Sequence, residues 1–177
     1  MSAPPLRLSE SKFIKTAESY SLEIVKISPQ WQEGLKLFFH SLKEKGDERF
    51  FCPHPTDEET INHLVHYNGR DLYYMLVEEE KVLGYGLLRG WDEGYQIPSL
   101  GIAIHPTERG RGLGKILMSF LHVVASRRGA DKVRLRVLKN NEKAISFYKN
   151  LGYLFEEDSN PDYLVGFKLL KCSLADV

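Results

Sequence analysis

A chain of 177 residues, 42% hydrophobic and 27% charged, has the composition of one soluble globular domain. Its formal net charge of zero excludes a long-range field that would recruit nucleic acid or an anionic membrane. Its apolar runs stay well short of the about 18 residues that a membrane span needs, so we expect a cytoplasmic protein. Cys52 and Cys172 fit no metal spacing, which predicts no metal site and reduced thiols, with a disulfide as the alternative.

Hydrophobic spacing predicts strands and helices that follow a flexible N-terminal arm at residues 1–10. In the first half of the chain we predict a strand at 21–27, a helix at 31–46, a loop at 47–57, a helix at 57–68 and strands at 71–79 and 81–90. A loop at 90–96 and a strand at 97–105 follow, and then a helix that begins at the cluster of Gly110, Gly112 and Gly114 and ends near Gly129. The last predicted elements are a strand at 132–138, a helix ending at Gly152, and strands at 153–157 and 162–170. Thr56 or Asp57 can cap the second helix, and Asn140 or Asn141 the fourth. This order predicts a single α/β or α+β domain at residues 11–177 with a mixed sheet.

The segment HPTERGRGLGK, from His105 to Lys115, joins a predicted strand to a predicted helix. A glycine-rich turn at a helix N-terminus is an anion-binding layout, because the first N–H groups of a helix have no intrahelical partner. The spacing fails the Walker pattern, since Ile116 follows Lys115, and it fails the dinucleotide pattern G-x-G-x-x-G. A solvated glycine-rich turn is the alternative interpretation.

Two motifs resemble a known superfamily. Arg109-x-x-Gly112-x-Gly114 resembles the acyl-CoA pyrophosphate loop of GNAT-type N-acetyltransferases. The later residues that match the superfamily are Asn141, Ala144, Tyr148, Gly152 and Tyr153. The resemblance covers roughly residues 72–157, and the chain is identified as a member of this superfamily. It implies a mostly antiparallel sheet of six to seven strands, flanked by about four helices, with the two central strands splayed.

The resemblance implies acetyl-CoA as co-substrate, with no metal. Backbone N–H groups must then converge on two phosphates, and side chains at Gly112 and Gly114 would block that approach. The residues expected to bind the cofactor are Ile102, Ala103, Ile104, Arg109, Gly110, Arg111, Gly112, Leu113, Gly114, Lys115, Asn141, Lys143 and Tyr148.

Tyr148 matches the superfamily residue that donates a proton to the departing CoA sulfur, and an ordinary phenol has the pKa of about 10 that this task needs. The alternative is that Tyr148 belongs to the core, because it lies on the apolar stripe of its helix. Asp92 and Glu93, just before the cofactor strand, are the candidate general bases. A solvated acidic turn is the alternative for both, and the free amine could also come from solution.

We expect the acceptor to be a small-molecule primary amine, with an amino sugar as one candidate, and the acetyl group to move directly in a ternary complex. Aromatic residues on loops facing the splay would suit such a molecule: Phe50, Phe51, His54, Trp91 and Tyr95. Exposed aromatic loops also mark dimer contacts, so a homodimer stays open. The alternative functions are a protein or peptide N-acetyltransferase and a catalytically silent acyl-CoA-binding module.

Overall fold

The computed structural model describes residues 21–51 and 53–170; the predicted arm at residues 1–10 and both cysteines lie outside this described part. The strands are β1 (Leu22–Lys26), β2 (Leu72–Glu78), β3 (Lys81–Arg89), β4 (Ser99–Ile104), β5 (Lys132–Leu138), β6 (Leu154–Glu157) and β7 (Tyr163–Leu169). The helices are α1 (Gln32–Glu44), α2 (Glu58–Val65), α3 (Leu113–Arg127) and α4 (Glu142–Asn150). The predicted order of elements is confirmed, and the predicted loop at 47–57 begins with a short 3-10 turn, Asp47–Phe50.

The strands form one sheet in the order β1-β2-β3-β4-β5-β7-β6. Every neighbouring pair is antiparallel except β4 and β5, which run parallel. The predicted mixed, mostly antiparallel sheet flanked by four helices is therefore confirmed.

The two central strands separate after a single point of contact. In the pairing of β4 with β5, Ser99 lies opposite Arg134, and Arg134 N donates to Pro98 O at 3.1 Å. On its other side β5 pairs with β7 along its whole length, from Lys132 opposite Leu169 to Leu138 opposite Tyr163. The sheet is thus intact on both sides of a wedge-shaped opening, as the predicted splay requires.

Hydrophobic cores lie on both faces of the sheet. One contains buried residues of α1 and α2, including Phe38, Phe39 and Ile61, together with Met75 and Tyr85 from the sheet. The other joins the buried face of α3 to the strands around the splay; its members include Leu117, Met118, Leu121, Leu100, Val133 and Leu135. Because both faces are covered by packed helices, the strands on either side of the opening are held in place by burial.

Side-chain caps resolve the alternatives that the sequence left open. Asp57 caps α2 by accepting from Thr60 N at 2.8 Å, and Asn141 caps α4 by accepting from Ala144 N at 3.2 Å. Helix α3 begins differently, with Gly112 in the left-handed conformation and no side-chain cap, so the N-terminus of α3 stays uncovered by its own side chains. Among the described residues, none of the helices is long and apolar enough to cross a membrane.

Candidate active site

The loop between β4 and α3 is anchored by a buried carboxylate. Glu108 accepts from Lys81 Nζ at 2.8 Å, forms an ion pair with Arg111, and accepts from Thr107 Oγ1 at 3.2 Å. The bonds from Lys81 and Arg111 lower the pKa of Glu108 to about 2. The loop therefore keeps one fixed shape at neutral pH, a role that the sequence did not reveal.

Two glycines give this loop its path. Gly110 (φ +78°) and Gly112 (φ +83°) adopt the left-handed region, where a side chain is strained, although open space surrounds the position of a Cβ at either residue. The chain then enters α3 directly. Lys115 N and Ile116 N donate to Gly112 O at 3.0 and 3.2 Å, so the N–H groups at the start of the helix that lack an intrahelical acceptor are those of Leu113 and Gly114. These N–H groups and the helix dipole form a cradle that suits an anion.

A large cavity of about 870 Å³ lies between this cradle, the end of β4 and the start of α4. The structure brings to this cavity every predicted cofactor residue except Arg111: Ile102, Ala103, Ile104, Arg109, Gly110, Gly112, Leu113, Gly114, Lys115, Asn141, Lys143 and Tyr148. Arg111 pairs with Glu108 and is not part of the lining.

The open edge of β4 forms one wall of the large cavity. His105 N donates to Leu83 O on the β3 side, while Pro98 O accepts from Arg134 on the β5 side. Since backbone groups alternate between the two edges of a strand, the N–H groups of Ile102 and Ile104 face the splay. They are available there for an extended ligand that pairs with a strand edge.

Arg109 connects the glycine loop to the segment after α1. Its Nη2 lies 2.9 Å from Asp47 Oδ2, and its Nε donates to Ile104 O at 3.3 Å. Asp47 and Phe50 in turn line the large cavity. This contact fixes the 3-10 turn Asp47–Phe50 beside the glycine loop.

A second, smaller cavity of about 330 Å³ lies on the other side of the splay. It shares five lining residues with the large cavity: Phe50, Phe51, Ile102, Arg136 and Tyr148. The two cavities therefore meet, and Tyr148 lies at their junction. Sequence reasoning missed the arginines of this second lining, although the alternation in KVRLRVL already places Arg134 and Arg136 on one face of β5.

Tyr148 is partly buried against other rings. Its ring centroid lies 5.4 Å from that of Phe147 and 5.7 Å from that of Tyr153. The hydroxyl of Tyr153 lies 2.8 Å from His122 Nε2, and burial lowers the pKa of His122 to about 4. Burial also raises the pKa of Tyr148 to about 12. Tyr148 thus has both properties that the sequence left as alternatives: it packs against the core, and it faces the cavities.

The two candidate bases have different surroundings. Glu93 lines the smaller cavity. Asp92 accepts from the Tyr67 hydroxyl and from Arg70 N, the latter at 2.8 Å, and these bonds lower its pKa. Asp92 is not part of either cavity lining, so the structure brings Glu93, and not Asp92, to the cavity that Tyr148 also lines.

A buried carboxylate holds the loop that carries Glu93. Asp71 accepts from Gly90 N at 2.8 Å and from Trp91 N at 2.9 Å. Of the aromatic residues expected to face the acceptor, Phe50, Phe51 and Tyr95 do line the smaller cavity. The expectation for Trp91 and His54 is wrong, because Trp91 is buried in the core and His54 Nε2 bonds to Tyr85 Oη at 2.8 Å. Within residues 21–51 and 53–170, no group of three or more His, Cys, Asp or Glu side chains could hold a metal ion.

Comparison with solved structures finds the same fold in known acetyltransferases. PaiA N-acetyltransferase from Thermoplasma acidophilum, solved in complex with coenzyme A, matches with a TM-score of 0.70 at 19% identity, covering 84% of this chain and 99% of that chain. The ribosomal-protein-S18-alanine N-acetyltransferase from Escherichia coli matches with a TM-score of 0.64 at 17% identity, covering 89% and 99%. A GNAT-family acetyltransferase from Staphylococcus aureus Mu50 matches with a TM-score of 0.69 at 16% identity, covering 85% and 100%. At these identities the likeness shows a shared fold.

The sequence itself matches a family model. The acetyltransferase (GNAT) family model matches residues 36–153, which is more than half of the 177 residues. The matched segment contains the glycine loop, the splayed strands and the helix that carries Tyr148. This chain therefore belongs to the GNAT family of acetyltransferases, as its two motifs predicted.

Proposed function

We propose that this protein is an acetyl-CoA-dependent N-acetyltransferase that moves an acetyl group to the primary amine of a small molecule by direct transfer in a ternary complex. The observation that carries the proposal is the position of Tyr148, which lines both cavities. A proton donor at that junction can act on a bond that breaks where the occupants of the two cavities meet.

The larger cavity has the features that an acyl-CoA needs. The uncovered N-terminus of α3 and the glycine loop favour a pyrophosphate, and the open edge of β4 can pair with the amides of an extended arm. Asn141, Lys143 and Phe147 supply the opposite wall from α4. When bound, acetyl-CoA supplies a thioester whose carbonyl carbon is open to attack by an amine.

The residues at the junction can move the protons that such a transfer requires. The amine nitrogen bonds to the carbonyl carbon as the carbon–sulfur bond breaks, and the Tyr148 hydroxyl gives its proton to the leaving sulfur. A pKa of about 12 keeps that hydroxyl protonated at neutral pH until it is needed. Before the attack, Glu93, directly or through water, takes one proton from the ammonium form of the acceptor, which gives the free amine. The second proton, which the nitrogen loses after it has bonded to carbon, passes through water and restores the Tyr148 hydroxyl. An open-edge N–H of β4 donates to the carbonyl oxygen as negative charge grows there.

The size and lining of the smaller cavity favour a small molecule over a protein chain as the acceptor. Its volume of about 330 Å³ is at the lower end of the range for small-molecule sites. Phe50, Phe51, Tyr95 and Tyr163 contribute aromatic groups to its lining, and these suit the ring of an amino sugar.

The experiment is an acceptor screen that follows thiol release from acetyl-CoA and identifies the acetylated product by mass. The panel contains amino sugars, amino acids, a polyamine and a short peptide with a free N-terminus. Acetylation of a small amine is the expected result. Acetylation of the peptide alone would favour a protein substrate, and acetyl-CoA binding without transfer to any amine would favour a silent binding module.

A further inference from the structure

We propose that the amine acceptor carries an acidic group, a carboxylate or a phosphate, which Arg49 and Arg134 bind in the smaller cavity. The inference rests on the proposed acetyl transfer and names the chemical class of its acceptor. It starts from the charges that face the cavity.

Positive charge dominates the lining. Four arginines and one glutamate are present: Arg49, Arg89, Arg134, Arg136 and Glu93. Two of the arginines are neutralised within the protein. Arg136 forms a two-pronged pair with Asp158, with Nε and Nη2 at 2.8 and 3.0 Å from its oxygens. Arg89 Nη1 donates to Pro53 O at 2.7 Å, and its Nε lies 3.8 Å from the buried Asp71.

The other two arginines each lie near an aromatic ring. The Arg134 guanidinium carbon lies 5.7 Å from the centroid of the Tyr95 ring, and that of Arg49 lies 4.6 Å from the centroid of Phe50. Within residues 21–51 and 53–170, neither side chain has a carboxylate partner. Contact with a ring face leaves the N–H donors of a guanidinium, which point outward in its own plane, free to bind a ligand.

The backbone holds these two arginines in defined places on different walls. Arg134 lies on β5 opposite Ser99, at the point where the central strands part. Arg49 lies in the 3-10 turn Asp47–Phe50, which the Arg109–Asp47 ion pair fixes to the cofactor loop.

The charge pattern matches a molecule with both an ammonium and an acid. Glu93 offers the cavity a negative charge from the loop after β3. Arg49 and Arg134 offer two positive charges that have no carboxylate partner in the part of the chain that the structure describes. An amine that also bears a carboxylate or phosphate satisfies both signs, since guanidinium binds either anion through paired N–H donors. A polyamine places a second positive charge in a cavity that already has an excess of them, and it is therefore disfavoured.

Matched acceptor pairs test the proposal. Glucosamine 6-phosphate is compared with glucosamine, and alanine with alaninamide, so that a phosphate and a carboxylate are each examined against a neutral counterpart; spermidine represents polycations. We expect kcat/KM to be roughly 10- to 100-fold higher for at least one acid-bearing member over its counterpart, the effect of one charge-assisted contact. The pair that shows the preference identifies which acid the cavity takes.

Variants assign the preference to its residues. Arg134→Gln and Arg49→Gln should each reduce the preference for the acid-bearing acceptor. Arg127→Gln removes the same charge from an exposed position at the end of α3, outside both cavities, and should keep the preference. A preference that survives both cavity substitutions, or falls equally in Arg127→Gln, would refute the assignment.

A binding measurement separates this inference from the proposed reaction. Calorimetric titration of each pair into the protein saturated with CoA needs no acetyl transfer. Selective binding of the acid-bearing member without thiol release would support the inference and contradict the acetyltransferase proposal. Two results would overturn the inference. One is a kcat/KM for the neutral amines or spermidine that equals or exceeds that for the acid-bearing acceptors. The other is the absence of selective binding in both pairs.

Discussion

Ser99 and Arg134 lie opposite each other where β4 and β5 meet, and beyond them the strands diverge. The backbone bond from Arg134 N to Pro98 O closes the root of the splay. Ser99 and Arg134 both line the smaller cavity, which meets the larger one further along the strands, at Ile102, Arg136 and Tyr148. The pairing thus marks the point from which the two central strands separate.

Gly112→Ala should weaken acetyl-CoA binding by roughly tenfold or more, the loss expected when a charge-assisted hydrogen bond is blocked. Gly129→Ala is a matched control, because Gly129 has the same φ of +83°, equally open space around its Cβ position, and a location at the far end of α3. Both variants should lose about 1–2 kcal/mol of stability from backbone strain. Calorimetric titration with acetyl-CoA provides the comparison, and equal affinities in the two variants would place the pyrophosphate elsewhere.

Tyr148→Phe should lower kcat by roughly 10²–10⁴ while leaving acetyl-CoA affinity within a few-fold, because the ring and its contacts with Phe147 and Tyr153 remain. Tyr74→Phe is the control, since Tyr74 is partly buried against Phe120 and its pKa is also raised by burial, but it lines neither cavity. Steady-state kinetics on one identified acceptor decides the matter. Wild-type kcat in Tyr148→Phe would assign this residue to the core alone.

Glu93→Gln should impair acceptor kinetics without changing acetyl-CoA affinity. If Glu93 takes the amine proton, kcat should fall roughly tenfold or more and the rate should require a higher pH, where solution supplies the free amine. If it only attracts the ammonium, KM alone should rise. Asp92→Asn, a substitution at the adjacent residue, is the control. It weakens the contacts of Asp92 with Tyr67 and Arg70, so it should lower the midpoint of unfolding while leaving kcat nearly unchanged. Superimposable pH–rate profiles for wild type and Glu93→Gln would exclude Glu93 as the base.

Glu108 should contribute stability at neutral pH that disappears in acid. Its folded pKa, about 2, lies below the ordinary value of 4.5 because of the bonds from Lys81 and Arg111. The contribution is therefore complete above pH 4.5 and declines as pH falls toward 2. Glu108→Gln should be less stable than wild type at pH 7, and the difference should shrink by pH 3. Urea unfolding at both values tests this, with Glu156→Gln on β6 as the exposed control. A difference that is independent of pH would contradict the ion-pair explanation.

Local patterns in the sequence were sufficient for the order of the elements, and the resemblance to the GNAT superfamily was sufficient for residues that line the larger cavity. The apolar spacing of α3 and the alternation of β5 are local signals, and the loop from Arg109 to Gly114 has the spacing Arg-x-x-Gly-x-Gly. The two local signals predicted the observed helix and strand. The residues expected to bind the cofactor line one cavity, with the exception of Arg111.

The smaller cavity could not be predicted in the same way, because its lining residues come from segments that are distant in the sequence. Arg49, Glu93, Arg134 and Tyr163 meet only once the sheet has formed. Burial of Trp91 likewise depends on packing against the second core, and the task of Asp92 depends on Tyr67, which lies on a different loop. The alternation in β5 places Arg134 and Arg136 on one face, but no spacing in the sequence shows which distant segments meet that face.

The most direct test of the central claim is the initial-velocity pattern of acetyl transfer to an identified amine, with acetyl-CoA and acceptor concentrations varied together. Two cavities that meet at Tyr148 predict intersecting lines in double-reciprocal plots, one acetylated amine per thiol released, and no burst of thiol in the absence of acceptor. Parallel lines, or thiol release that precedes the acceptor and leaves an acetylated protein, would contradict direct transfer in a ternary complex.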